Sequence, residues 1–341
     1  MRRTDLAGWL FSAPALVGIG MFLIAPFVVS IYLSLTNQRF VSPNPPVFVG
    51  AENYRNLLAL SLLTIEPLPD APGTFPRTRD LIRADPELRG YSEWFSVDLG
   101  GYRHAVLARD PVFMRSLVNN FHFTLMVVPL QCGLALALAL LVNLPLAGSR
   151  LFRTIYFMPV VTSMAVISVV WIFIYNPDVG LLNRVIGLAT PGGPVRIDWL
   201  GDTGTAMLAI LIMSVWQGVG FQMVLFLAGL QGIPRDLYEA AKIDGANAWQ
   251  RFRFVTWPGL RNTTAFVVIT TTIASFRLFT QVDVMTQGGP RNDATSTVIF
   301  HAIQEGFRSL KLGYGSAISV VFFLVVLAVT FILRRITRPI T

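Results

Sequence analysis

The 341-residue chain is 53% hydrophobic and 13% charged, with a net charge of +8. Soluble domains carry roughly 25% charged residues, so this composition excludes an ordinary soluble globule and makes lipid the solvent for much of the chain. A single cysteine, Cys132, excludes an internal disulfide, and His104, His122 and His301 are too scattered for a metal centre. Inner-membrane proteins collect Lys and Arg in their cytoplasmic loops, so the basic excess points to a membrane protein and not to nucleic-acid recognition.

Arg2 and Arg3 precede the first apolar run, about 9–35. That run is too long for a signal-peptide core and lacks a clean small-residue cleavage site, so it reads as a retained membrane helix. In the stretch 37–116, the runs "SPNPPVF" and "EPLPDAPGTFP" predict irregular structure, and "TRDLIRADPELRGYSEWF" a short helix. Further spans are predicted at about 117–142, 154–175, 205–230, 263–285 and 314–334. The fifth is the least apolar, with five Thr between Thr263 and Thr272, and suits a helix facing its neighbours or lining a path.

Short-loop cations orient the spans. Arg2 and Arg3, Arg150 and Arg153, the group Arg235, Lys242, Arg251, Arg253 and Arg261, and finally Arg334, Arg335 and Arg338 all fall on one side of a six-helix chain. The expected fold class is therefore an all-α membrane protein with six transmembrane helices and both termini in the cytoplasm. Its parts are a first segment and helix at 1–36, a periplasmic loop at 37–116 and a five-helix core at 117–341.

Between spans four and five lies "YEAAKIDGANAWQRFRFVTWP", Tyr238 to Pro258, a polar stretch in a greasy chain. Pro234 suits a first helical turn, Asp236 and Glu239 favour the positive end of a helix dipole, and Gly245 can take the left-handed conformation that ends a helix. A second helix starts near Ala248 and stops before Pro258, with Trp249, Phe252 and Val255 on one stripe. Two uses are open: a basic amphipathic helix lying on anionic lipid, or a rigid knob for a soluble partner.

"EAAKIDGA", followed nine residues after Gly245 by "VTWP", resembles the EAA loop of ABC importer permeases. Val255 and Trp257 replace the usual Ile and Leu. "WLFSAPALVGIGMFLIAPFVVSIYLSLTN", "ENYRNLL", "DPVFMRSLVNN", "FRTIYFMPVVTSMAVISVVWIFIYN" and "DVMTQGGPRNDATSTVIF" resemble the carbohydrate-uptake branch of these permeases. Within it they are most similar to the larger maltose permease subunit and the glycerol-3-phosphate permeases. The resemblance covers nearly all of the chain except about 61–108, where roughly 45 residues are inserted.

The resemblance implies the type I ABC importer permease fold with an extended first periplasmic loop, in the plasma (inner) membrane of a bacterium or archaeon. It implies a second permease subunit, two ATP-binding subunits that use ATP and Mg, and a periplasmic or lipid-anchored substrate-binding protein. It assigns ATPase coupling to a loop at 231–262, with Glu239, Ala240, Ala241, Asp244, Gly245 and Pro258 as its key positions. The chain has no phosphate-binding G-x-x-x-x-G-K-[ST] loop, so no cofactor is expected on it and energy comes from elsewhere.

Polar residues inside spans are candidates for a substrate path. Span four offers Trp216, Gln217, Gly218 and Phe221, and span five Phe276, Arg277, Thr280 and Gln281. The resemblance places sugar contacts in these same two regions. Aromatic faces cover sugar C–H surfaces and amides bind hydroxyls. The same residues also serve plain helix packing and interhelical hydrogen bonding. Arg277 leaves a sugar phosphate, such as sn-glycerol-3-phosphate, open as an alternative substrate. An ion-coupled secondary transporter has only Asp283, near a span end, as its acidic residue. An intramembrane enzyme is disfavoured by the absence of His-Glu-x-x-His and Gly-x-Ser-x-Gly.

Overall fold

A computed structural model describes residues 3–68, 73–144, 148–190, 193, 195–291 and 293–337. Arg2, Arg338 and the side chains of Arg3 and Arg150, all used above to orient the spans, lie outside it. The chain divides into two compact units: Met1–Met114 with His301–Leu324, and Arg115–Phe300 with Val325–Thr341.

The first unit opens with α1 (Arg3–Ile19) and α2 (Ala25–Ser34), joined through a π-turn at Gly20–Ile24. Phe11–Ser34 is long and apolar enough to cross a membrane. Its side chains are largely exposed, and Phe27 meets Phe323 with ring centroids 4.7 Å apart. The end of α2 is fastened by α3 (Glu52–Leu58): Asn53 Nδ2 donates to the carbonyls of Ser34 (2.8 Å) and Thr36 (2.9 Å).

The inserted segment corrects the all-α expectation. β1 (Leu60–Ile65), α4 (Thr78–Ala84), β2 (Ser92–Leu99) and β3 (Tyr102–Ala108) form a three-stranded antiparallel sheet, ordered β1-β3-β2, with a helix on one face. The short helix lies where it was predicted, and the described residues of the two Pro-rich runs are irregular as expected; the strands, which were not predicted, lie outside those runs. Gly100 and Gly101 have φ of +62° and +84°, so they close β2 onto β3 as a two-residue hairpin of the hand that matches strand twist. Ile65, Ala105 and Leu107 are buried against Phe75, Leu81, Ile82, Leu88 and Tyr91. The other face leaves Leu62, Phe95, Val97 and Leu99 exposed.

α5 (Pro111–Val142) starts six residues earlier than predicted, because Asp110 Oδ1 accepts from the Phe113 amide at 2.8 Å and Pro111 needs no partner in the first turn. In the second unit α6 (Ser149–Val161) and α7 (Met164–Ile174) are bent by 101° at Thr162–Ser163, so the predicted span 154–175 is a broken pair. α8 (Leu181–Ala189) leads to α9 (Ala206–Gln231), an apolar helix of 26 residues. α9 packs along α6, and a Cβ on Gly220 would overlap the Tyr156 carbonyl oxygen.

After α10 (Arg235–Ile243), α11 (Ala248–Arg251) and α12 (Trp257–Gly259) comes α13 (Arg261–Phe276). The predicted span 263–285 is interrupted: α13 ends at Phe276, and α14 (Thr280–Met285) resumes after Arg277–Phe279. α15 (Val298–Ile303) precedes α16 (Leu312–Ile336). Among the described residues, four helices are long and apolar enough to span a bilayer, and the bent α6–α7 pair makes a fifth crossing if it counts as one span. The expected count of six also needs the interrupted α13–α14 segment, which is not among these candidates; α13 by itself has 16 residues.

Candidate functional site

Two features of the second unit stand out. One is a cavity of about 230 Å³ bounded by α5, α6, α7, α9, α13 and α14. Its polar wall is a relay across three helices: Gln131 Nε2 on α5 donates to Gln222 Oε1 on α9 (3.0 Å), and Gln222 Nε2 donates to Thr271 Oγ1 on α13 (3.2 Å). Thr124 and Ser275 hydroxyls meet at 2.8 Å and tie α5 to α13 again. Among hydrocarbon-facing helices such bonds hold polar groups that would otherwise be costly to bury. Ser214 Oγ is buried against this cavity with no hydrogen-bond partner among the described residues. Phe123 and Phe221 supply aromatic surface, and no lining residue is charged.

Of the eight residues singled out for a substrate path, Gln217, Gly218, Phe221 and Gln281 line this cavity. Gly218 leaves room for the Gln131 amide, which a Cβ there would meet. The other four lie elsewhere. Trp216 is half exposed on α9, edge-on to Trp171 at 5.6 Å. Phe276 is buried edge-on to Phe121 at 5.3 Å, a packing role. Arg277 is exposed at the C-cap of α13, and Thr280 opens α14, half buried. Gln131, Ser214 and Thr271 were missed from sequence. A lone Gln inside the run "MVVPLQCGLALAL" was the available signal for the first.

The second feature is the hairpin of α10 to α12. Ala246 N–H donates to the Ala241 carbonyl (2.9 Å) and Gly245 N–H to that of Lys242 (3.1 Å), the paired bonds of a Schellman stop, with Gly245 at φ +75°. Asn247 restarts the helix at once: its Oδ1 accepts from Gln250 N–H, and Gln250 Oε1 accepts from Asn247 N–H. The turn is thus fixed on both sides within four residues. The Tyr238 and Thr256 hydroxyls, 2.9 Å apart, join the two arms.

The second arm does not stop before Pro258, contrary to expectation. A π-turn at Phe252–Thr256 lets the Trp257 N–H reach back to the Phe252 carbonyl, and Pro258 falls in the first turn of α12, where its missing N–H costs nothing. Of the predicted stripe, Val255 and Phe252 are half buried, with Val255 packed against the apolar cluster that includes Ile233 and Leu260, whereas Trp249 is 68% exposed. Glu239, Ala240, Asp244 and Gly245 are exposed, Ala241 is half buried, and Pro258 is exposed. Ile243 at 86% and Phe254 at 72% exposure stand beside them. These apolar side chains are left uncovered on a turn whose backbone is fixed.

Residues 130–341 match the family model described as binding-protein-dependent transport system inner membrane component. This chain belongs to that family. A probable ABC transporter permease protein of Bacillus subtilis is 31% identical over 97% of this chain and 95% of its own length. The lactose transport system permease protein of Rhizobium radiobacter is 32% identical over 97% and 94%. The sn-glycerol-3-phosphate transport system permease protein of Yersinia enterocolitica is 33% identical over 72% and 86%. In fold, the permease resembles a chain from the crystal structure of a bacterial ABC transporter involved in import of the acidic polysaccharide alginate, with a TM-score of 0.70, 17% identity and coverage of 99% and 97%. The architecture is that of the type I ABC importer permeases, and the protein is an inner-membrane transport component, not an enzyme.

Proposed function

We propose that the permease forms the translocation path of an ATP-driven, binding-protein-dependent carbohydrate importer. The observation that carries this reading is the uncharged, amide- and hydroxyl-lined cavity with two aromatic rings. Its chemistry suits a neutral hydroxylated solute: rings cover C–H faces, and Gln131, Gln217, Gln222, Gln281 and Ser214 exchange hydrogen bonds with hydroxyls. Similarity to a lactose permease supports the substrate class. Similarity to glycerol-3-phosphate permeases favours the sugar-phosphate alternative, but a cavity with no cation in its lining disfavours a phosphate there.

In this reading six spans cross the membrane, with α6–α7 and α13–α14 as the two broken ones. Both termini and the α10–α12 hairpin are cytoplasmic, and residues 61–108 are periplasmic. The hairpin docks on an ATPase subunit through Glu239, Asp244 and the exposed apolar tip, with Ala240, Ala241, Gly245 and Pro258 setting its shape. A second permease subunit, two ATP-binding subunits that use ATP and Mg, and a substrate-binding protein complete the machine. The chain itself holds no cofactor. The test is uptake by proteoliposomes containing the full complex and a panel of labelled sugars. ATP-dependent uptake of a neutral sugar, abolished by Gln222→Leu, supports the reading. Uptake driven by an ion gradient through the lone chain overturns it.

A further inference from the structure

The first unit holds a second, larger cavity, of about 510 Å³, with a different chemistry. It lies where the end of α2, helix α3, the starts of α5 and α16, and α15 with its π-turn extension come together. Its floor is a buried triad. Asp110 Oδ2 lies 2.8 Å from His301 Nε2 and accepts from the Tyr314 hydroxyl at 2.6 Å, while Asp110 Oδ1 accepts from the Phe113 amide. Asp110 and His301 are each 7% exposed. The other lining carboxylate, Glu305, is also engaged, by the Lys311 ammonium at 2.8 Å and the Ser309 hydroxyl at 3.2 Å.

Two of the three lining cations are in the opposite state, Lys311 being the one already paired with Glu305. Arg39, Arg109 and Lys311 line the cavity against those two occupied carboxylates. Arg109 gives one N–H to Asn56 Oδ1 at 2.6 Å and lays its guanidinium 5.3 Å over Tyr91, leaving other donors for a ligand. Arg39 is exposed at the rim. The amides divide: the Asn37 and Asn56 oxygens already accept bonds, so their NH₂ groups remain to donate, whereas Gln38 and Asn53 already donate and keep their oxygens to accept from a hydroxyl. The first turns of α5 and α16 form part of the wall and add partial positive charge. What remains to be satisfied is therefore mainly donors and positive charge, the complement of a planar or tetrahedral oxyanion.

We infer that this cavity is an oxyanion-binding site for a carboxylate or phosphate group, free or carried on a sugar, distinct from the uncharged cavity of the second unit. Arg39 and Arg109 supply forked donors, Lys311 a point charge, and the Asn37 and Asn56 amides bind the remaining oxygens or adjoining hydroxyls. The Asp110–His301–Tyr314 floor keeps its own carboxylate occupied, so that it does not compete for the cations.

The test is calorimetric titration of the full-length chain in lipid nanodiscs at low salt with inorganic phosphate, glucuronate and glucose. Both anions are expected to bind and glucose is not. Arg39→Gln, at an exposed position that leaves the fold intact, is expected to weaken anion binding about ten-fold. Arg109→Lys keeps the charge but loses the fork, and is expected to fall between. Added sodium chloride weakens binding in each case. Tighter glucuronate than phosphate identifies a sugar-borne group, and equal or tighter phosphate a free anion. Anion binding no stronger than that of glucose, or anion binding unchanged in both variants, overturns the inference. Uptake is not the readout, so failure here leaves the importer reading standing, and Gln222→Leu in the other cavity is expected to bind anions as the wild type does.

Discussion

The interhelical cavity and the α10–α12 hairpin are opposite solutions to one problem. In the cavity, polar groups sit among apolar helices and are satisfied by one another, as the Gln131–Gln222–Thr271 relay shows. On the hairpin, Ile243, Trp249 and Phe254 are exposed in the isolated chain while the turn beneath them is capped on both sides. The difference teaches where each region's energy resides. The cavity's bonds are internal to the fold, so damage there lowers stability and transport together. The hairpin's apolar tip contributes little to the isolated chain, and in the docking proposed above a partner buries it.

Gly220→Val tests the frame that positions the cavity and carries the largest expected effect. The new side chain collides with the Tyr156 backbone, which has no flexible end to move aside. Loss of folded protein in detergent is expected, measured as yield of monodisperse material on size exclusion. Gln222→Leu comes next. It leaves the Gln131 and Thr271 side chains without their relay partner, at a cost of about 1–3 kcal/mol, read as a lower melting temperature together with lost uptake. A Gln222→Leu protein as stable as wild type would show that the relay is not holding the helices.

The acid limb of stability gives a third prediction. Burial pushes the Asp110 carboxyl up, but His301, Tyr314 and the Phe113 amide outweigh it and hold the group below the usual carboxylate range. The folded state therefore binds this proton less readily than the unfolded chain. The stabilisation is complete above the ordinary carboxylate pKa, about 4, and is lost as pH falls through the lower folded value. Tryptophan fluorescence during acid titration checks this, with Asp110→Asn losing that portion of the pH dependence. Gly245→Ala forces a side chain into left-handed backbone and is expected to cost about 1 kcal/mol. Trp249→Ala is the smallest in stability, within about 0.5 kcal/mol, yet is expected to weaken co-purification of the ATPase subunit. Equal recovery of the ATPase with Trp249→Ala and Ile243→Asp would remove the contrast between the two regions.

Much of this was legible in the sequence for identifiable reasons. α9 was placed to within a residue at each end because a long apolar window has few alternative readings. The hairpin followed from Pro234 and Gly245, residues whose backbone preferences act locally. The sheet was missed because Pro-rich flanks drew attention away from Gly100–Gly101, a two-residue hairpin signal bounded by alternating strands. The break after Phe276 and the π-turn before Pro258 depend on tertiary packing and leave weak local marks. The cavity was half legible. Gln217, Phe221 and Gln281 are polar or aromatic within spans, but Gln131, Ser214 and Thr271 meet them only through helices distant in sequence.

Reconstituted, sugar-stimulated ATP hydrolysis by the complete complex tests the coupling of the two regions most directly, with Glu239→Lys on the hairpin compared against wild type. Loss of both stimulated hydrolysis and uptake, with the chain's own melting temperature unchanged, is the predicted result. Unchanged stimulation and uptake in Glu239→Lys and in Gly245→Asp alike would contradict the assignment of the hairpin as the joint between motor and path.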